Sequence, residues 1–216
     1  MGREAKEALF EQFARVGKAL GSAKRVELVD LLAQGERSVE ALARVTGVNL
    51  TTISAHLQAL RQAHLVTTRR EGTRIYYRLA GPAVAELYLA LLHAAEQSQP
   101  GLPDVAEAYL GTDDVEEIGR EELWRRAEQG AVTVIDVRPA EEYAGGHLPG
   151  AVSIPLDQLA DRLSDLPPGA QVVAYCRGPY CALSYAAVRL LREHGIPARR
   201  LADGVLQWRA ADLPVE

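Results

Sequence analysis

The chain has 216 residues, 48% of them hydrophobic and 25% charged, enough for one large or two small domains with ordinary globular cores. Its net charge of −5 hides a split: residues 1–97 carry 13 Lys+Arg against 10 Asp+Glu, and residues 98–216 carry 11 against 19. The longest apolar stretch, around Leu87–Leu92, is far short of the ~18–20 residues of a membrane span, which excludes a membrane protein. The charged N-terminus, MGREAKE, lacks the apolar region of an export signal, and Lys6 stands where a myristoylation signal wants Ser or Thr. A cytoplasmic protein is expected.

In chain order, residues 4–20 read as an amphipathic helix with Leu9, Phe13, Val16 and Leu20 on one face, and residues 23–34 as a second. Ser38 is a cap for SVEALARVTGV, with Val39, Leu42 and Val45 at helical spacing and Gly47 as the stop. The next helix, in NLTTISAHLQALRQAHLV, sets Ile53, Leu57, Leu60 and Leu65 on one face. Two short helices joined by a Gly-containing turn make a helix-turn-helix signature. Two β-rich runs follow, Leu65–Arg70 and Thr73–Leu79, flanking Glu71-Gly72 as the tight turn of a wing. A helix over 84–97 closes this half, and its apolar face suits pairing with the first helix in a homodimer.

The exposed face of helix 50–63 offers Thr51, Thr52, Ser54, His56 and Gln58, with Arg61 further on, all able to reach base edges or phosphates in a major groove. Arg69, Arg70 and Arg74 of the wing suit phosphate or a minor groove. Double-stranded DNA is the expected partner. The stretch TTISAHLQALRQAHLVTTRREGTRIYYRL resembles the recognition helix and wing of the ArsR/SmtB family of dimeric repressors, and the likeness spans about residues 5–97. That family often senses metal through cysteines or a His/Asp site. No cysteine precedes Cys176, and His93 with Glu96 supplies only half a site, because Ala80 and Pro82 stand where the other ligands would fall. No metal and no cofactor are expected.

Between Ser98 and Gly119 a Pro/Gly-containing stretch with an acidic cluster (Asp113, Asp114, Glu116, Glu117) reads as a linker over 98–114, with one short helix across Asp104–Leu110. From 115 on, helices and strands alternate: helix Glu121–Gln129, strand Val132–Val137, strand Val152–Ile154, helix Leu156–Leu163, strand Val172–Tyr175, helix Ala182–Glu193, strand Ala198–Leu201, and a last helix from Val205. The fold class expected is a mainly α winged helix-turn-helix domain followed by an α/β domain with a parallel sheet.

The chemistry sits in VVAYCRGPYCALSYAAVRLL. A hydrophobic strand delivers Cys176, the loop Arg177, Gly178, Pro179, Tyr180 and Cys181 follows, and a helix begins. Backbone N–H groups and the positive end of a helix dipole favour a thiolate there, and hence a nucleophile near neutral pH. Cys176 and Cys181 are the two cysteines of the chain, too few for a disulfide scaffold and suited to reactive or redox use. With DVRPAEEYAGGHLPGAVSIPL, this half resembles the rhodanese family over about residues 115–213. The resemblance implies sulfurtransferase chemistry, with Cys176 accepting a sulfane sulfur as a persulfide. It makes Asp136, Arg138 and His147 structural groups near the site, with a buried Asp–Arg pairing tying strand end to active-site loop.

One departure is Cys181, at the loop's sixth position, where thiosulfate-using members often carry a cationic or hydroxyl residue. Two readings of it stand: a thiol that resolves a Cys176 persulfide into a disulfide, or a small buried residue opening the helix. The joint expectation is a repressor that senses reactive sulfur, oxidant or a thiophilic small molecule through Cys176. The alternatives are a working sulfurtransferase merely located or autoregulated by its DNA-binding half, and an arsenite-binding regulator.

Overall fold

The computed structural model describes residues 2–111 and 115–216, so Asp113 and Asp114 of the acidic cluster lie outside the described residues. The chain divides into two compact units, one up to Leu92 and one from His93 on.

The first unit runs α1 (Arg3–Leu20), α2 (Ala23–Ala33), β1 (Arg37–Ser38), α3 (Val39–Thr46), α4 (Leu50–Gln62), β2 (Val66–Glu71), β3 (Arg74–Leu79) and most of α5 (Pro82–Ser98). Local chemistry sets the turn between α3 and α4. The Ser38 hydroxyl accepts from the Ala41 N–H, Gly47 ends α3 in the left-handed region, and the Asn49 side chain accepts from the Thr52 N–H to start α4. Leu28, Leu42, Ile53, Leu57 and Leu60 are fully buried, each contributing about 2 kcal/mol of apolar burial.

Three details differ from the sequence reading. Val45 is exposed, because an i, i+3, i+6 series drifts round the helix and only Val39 and Leu42 face inward. The hairpin register pairs Glu71 with Arg74, which places the turn at Gly72-Thr73, one residue later than expected; Gly72 supplies the positive φ, +59°. The two-residue strand β1, antiparallel to β3, is too short to leave a periodic signal.

The second unit opens with the last turn of α5. It continues through α6 (Leu102–Leu110), β4 (Glu117–Ile118), α7 (Arg120–Glu128), β5 (Thr133–Asp136), α8 (Ala140–Ala144), β6 (Val152–Ser153) and α9 (Leu156–Leu159), which runs on as a 3-10 turn to Asp165. Then come β7 (Val172–Tyr175), α10 (Ala182–Glu193), β8 (Ala198–Leu201) and α11 (Val205–Ala210). The strands form one parallel sheet in the order β4-β8-β7-β5-β6. From β5 the chain goes outward to β6, then returns to the far side as β7, so the strand order switches between β5 and β7. In open α/β sheets the crevice beyond the carboxyl ends at such a switch is where ligands bind.

Alternation along the strands supplies a core on each face. Ile135, Val137, Ala174 and Cys176 join one, with Leu159, Val188 and Leu191, while Val134, Val173 and Tyr175 join the other, with Leu123 and Trp208. The short helix expected between the domains is α6, whose Leu110 carbonyl accepts from Arg189 of α10 within the second unit. Among the described residues no helix is long and apolar enough to cross a membrane.

Candidate functional site: a buried cysteine and its loop

Cys176 follows the last residue of β7, and its side chain points to the face covered by α10. Being 1% exposed, it is sealed beneath its own loop. Its Sγ lies 3.3 Å from the Cys181 carbonyl oxygen and 3.3 Å from Ser184 Oγ. The Ser184 hydroxyl also stands 3.3 Å from that carbonyl, so its one proton serves the carbonyl while Cys176 is a thiol and the sulfur once it is a thiolate.

Burial pushes the Cys176 thiol up. Hydrogen bonds from the Cys181 thiol, the Ser184 hydroxyl and the backbone N–H groups of Gly178 and Ser184 outweigh it and bring the thiol down to about 7. Cys181, the N-cap of α10, moves the opposite way: the hydrogen bond it gives Cys176, and then its burial, push its thiol far up. The two sulfurs therefore have separate roles, one ionised near neutral pH and the other holding a proton directed at it.

The loop is braced from three sides. Arg177 makes a two-pronged ion pair with Glu142 of α8, Nη2 to Oε1 at 2.6 Å and Nε to Oε2 at 3.0 Å, and that carboxylate is fully buried. Arg200 of β8, itself buried, donates from Nη2 to the Pro179 carbonyl at 3.2 Å, pairs with Glu117 through Nη1 and lies over the Tyr185 ring. Gly204, before α11, packs directly on the Arg177–Gly178 peptide, where a Cβ would collide with Arg177 O and Gly178 N, and the Gln207 side chain covers Gly178. Tyr180 donates to Glu96 Oε1 at 3.0 Å, in the last turn of α5 within this unit.

On the opposite face, Asp136 and Arg138 form a fully buried ion pair, Nη2 to Oδ2 at 2.5 Å. Tyr175, the residue before Cys176, donates its hydroxyl to Asp136 Oδ2 at 2.6 Å, and Arg138 donates to the Gly146 carbonyl. Burial beside that carboxylate pushes the Tyr175 hydroxyl well above its ordinary range, so it stays a donor. The pair thus locks the ends of β5 and β7, whereas the direct tie to the cysteine loop is Glu142–Arg177. His147 stays clear of the sulfur: its ring stacks on Tyr143 at 3.7 Å between centroids, and its backbone exchanges hydrogen bonds with Glu216. Glu142, Tyr175, Ser184, Arg200, Gly204 and Gln207 were not anticipated from sequence. The contacts of Glu142, Gly204 and Gln207 with the loop span 25 residues or more, beyond the reach of any local pattern.

In the first unit, Thr51, Gln58 and Arg61 lie exposed on α4, with Thr52, Ser54 and His56 half-buried. The wing arginines are unequal. Arg69 pairs with Glu36 at 2.7 Å and Glu71 at 2.6 Å and lies over the Tyr76 ring, while Arg70 donates to the Gly72 carbonyl and Arg74 is exposed. Hydrogen bonds from Arg69 to Glu36 and Glu71 hold its guanidinium even more firmly protonated than usual. His93 Nδ1 is 3.9 Å from Glu96, the carboxylate that also accepts from Tyr180. Among the described residues no cluster of three His, Cys, Asp or Glu side chains gathers to hold a metal ion.

Two family models match the chain: bacterial regulatory protein, arsR family, over residues 22–68, and rhodanese-like domain over residues 119–211. The HTH-type transcriptional regulator Rv0324 of Mycobacterium tuberculosis is 52% identical over 98% of this chain and 93% of its own length. A sulfurtransferase of Allochromatium vinosum is 34% identical over 47% of this chain and 94% of its own length. Among solved structures, the homodimeric winged helix-turn-helix DNA-binding domain (fragment 1–100) Mb0332 of Mycobacterium bovis is 54% identical, covers 46% of this chain and 92% of that fragment, and superposes with a TM-score of 0.43.

Proposed function

Because this chain belongs to the ArsR family of bacterial transcription regulators and carries a rhodanese-like domain behind its helix-turn-helix, we propose that it is a homodimeric, cytoplasmic repressor that senses reactive sulfur at Cys176. The observation that carries this reading is the cysteine itself. It sits at the carboxyl end of a central strand, lies 3.3 Å from Ser184 Oγ in the first turn of α10, and has its thiol brought down to about 7 by hydrogen bonds to its sulfur. The first unit has no cysteine of its own, so a thiol signal must begin in the second. The exposed residues of α4 and the wing arginines Arg70 and Arg74 supply the DNA contacts. A ~100-fold change in operator affinity needs only about 2.8 kcal/mol of coupling. A loop that carries Tyr180 on Glu96 of α5 has the means to supply it once sulfur is added beneath it.

The test is a gel-shift titration on the protein's own promoter with reduced and polysulfide-treated protein, following Cys176 by intact mass. Sulfur on Cys176 and a change in DNA affinity are expected together, and Cys176→Ser is expected to abolish both. Sulfur loading with unchanged DNA binding in the parent would replace this reading by that of a tethered sulfurtransferase.

A further inference from the structure

The ion pairs around the loop bear on which sulfur donor can reach it. Arg177 is the loop's cation, and its guanidinium lies in a two-pronged pair with a fully buried carboxylate, Glu142. Arg200 is paired with Glu117 and directed at the Pro179 carbonyl. Each pair is neutral as a unit, so the charge left at the site is the negative charge of Cys176. A dianionic donor such as thiosulfate has to bury a sulfonate here, and a buried anion is tolerated only with a cation or several donors of its own. Space acts in the same direction. Cys176 is 1% exposed, Gly204 packs on the Arg177–Gly178 peptide, and Gln207 covers Gly178, so a bulky reagent has little room at the sulfur.

Building on the reading of Cys176 as the sulfur-reactive group, we propose that its substrates are small hydropersulfides and hydropolysulfides rather than thiosulfate, and that Cys181 converts the captured sulfur into sulfide and an internal disulfide. In the first step the Cys176 thiolate attacks the outer sulfur of R–S–SH. The S–S bond breaks, its electron pair leaves on RS, which takes up the SH proton, and the products are Cys176–S–S⁻ and RSH. In the second, Cys181 sulfur attacks the inner sulfur of that persulfide. Its proton, already directed at Cys176, passes to the departing sulfur, which leaves as HS⁻. The two cysteine sulfurs are oxidised by two electrons in all, and the sulfane sulfur is reduced to sulfide by the same two, so the donor is the oxidant and no other is required.

The experiment uses the reduced full-length protein with cysteine hydropersulfide, a small donor of lower charge, or thiosulfate, read by intact mass after alkylation and by released sulfide. The hydropersulfide is expected to modify Cys176 at least ~10-fold faster than thiosulfate, the effect of one missing charge-assisted hydrogen bond. The parent should finish as a disulfide with one sulfide released per chain, whereas Cys181→Ser should stop with the added sulfur retained on Cys176. Glu142→Gln, which leaves the Arg177 charge uncancelled, should narrow the gap between the donors. The donor ratio in the parent decides the charge argument even if that variant fails to fold. Equal rates with the two donors, or a parent that keeps its persulfide and releases no sulfide, would overturn the inference. If neither donor marks Cys176, the underlying reading of the cysteine falls, and that result is distinct from the other two.

Discussion

At the scale of single residues, the reactivity of Cys176 is a balance between burial, which opposes its charge, and donors that reward it. Ser184 is the most informative of these, because its hydroxyl contributes one hydrogen bond and little packing. Ser184→Ala is therefore expected to raise the Cys176 thiol from about 7 by somewhat under one unit, the equivalent of about 1 kcal/mol. Alkylation follows the thiolate, so its pH midpoint should move to higher pH and the rate at neutral pH should fall several-fold. An unchanged alkylation profile would mean that Ser184 does not support the charge. Ser184 also shows what sequence reading misses. Cys176 and Cys181 are legible because a strand run, two thiols and a helix start lie within a dozen residues. A serine in the first turn of that helix looks like an ordinary helix-start residue until its oxygen is placed 3.3 Å from the sulfur.

At the scale of elements, the strands and helices with a clear period were legible within a residue or two: β7, β8 and α10 follow from their apolar patterns. The two-residue strands β1 and β4 were not, since alternation needs several residues to register. Nor was the entry to α11, whose first role is to back the cysteine loop. Gly204→Ala would drive a Cβ into the Arg177–Gly178 peptide, backbone against backbone, where no side chain can give way. A loss of about 1–3 kcal/mol is expected in urea unfolding of the second unit, together with altered Cys176 reactivity. A variant with parent stability and reactivity would show that the loop is not braced there.

The wing offers a second test among elements. With Arg69 committed to Glu36 and Glu71, Arg70→Ala is expected to weaken operator binding and to reduce its salt slope by about 1. Arg69→Ala should leave that slope near the parent value while loosening the hairpin. Equal salt slopes for the two variants would remove the distinction.

At the scale of the whole molecule, the unresolved account in a single chain is the outer face of α1. Leu9, Phe10 and Phe13 are more than half exposed, with Leu87 and Leu91 of α5 also open to solvent. An amphipathic helix of 18 residues that turns such a face outward calls for a partner, and a second copy of the same helix meets the requirement by symmetry. Phe13→Glu is expected to give a monomer in sedimentation equilibrium and a large loss of operator affinity, because a palindromic site is read by two recognition helices. A dimer that survives this change would move the interface elsewhere. The apolar face of this helix was legible from its spacing. Whether that face would turn into the chain's own core or away from it was not, because periodicity reports that a stripe exists and not what covers it.

The sealing of Cys176 has a temporal consequence. A thiol with 1% of its surface in contact with solvent reacts only during openings of its loop, so its modification rate is the product of an opening equilibrium and an intrinsic rate until donor is abundant enough to outpace reclosing. Beyond that point the rate levels off at the opening frequency, whatever the dose. If Cys176 is the sulfur sensor proposed above, it then keeps time as well: a pulse briefer than the interval between openings leaves most copies untouched, and a sustained exposure of the same strength converts nearly all of them.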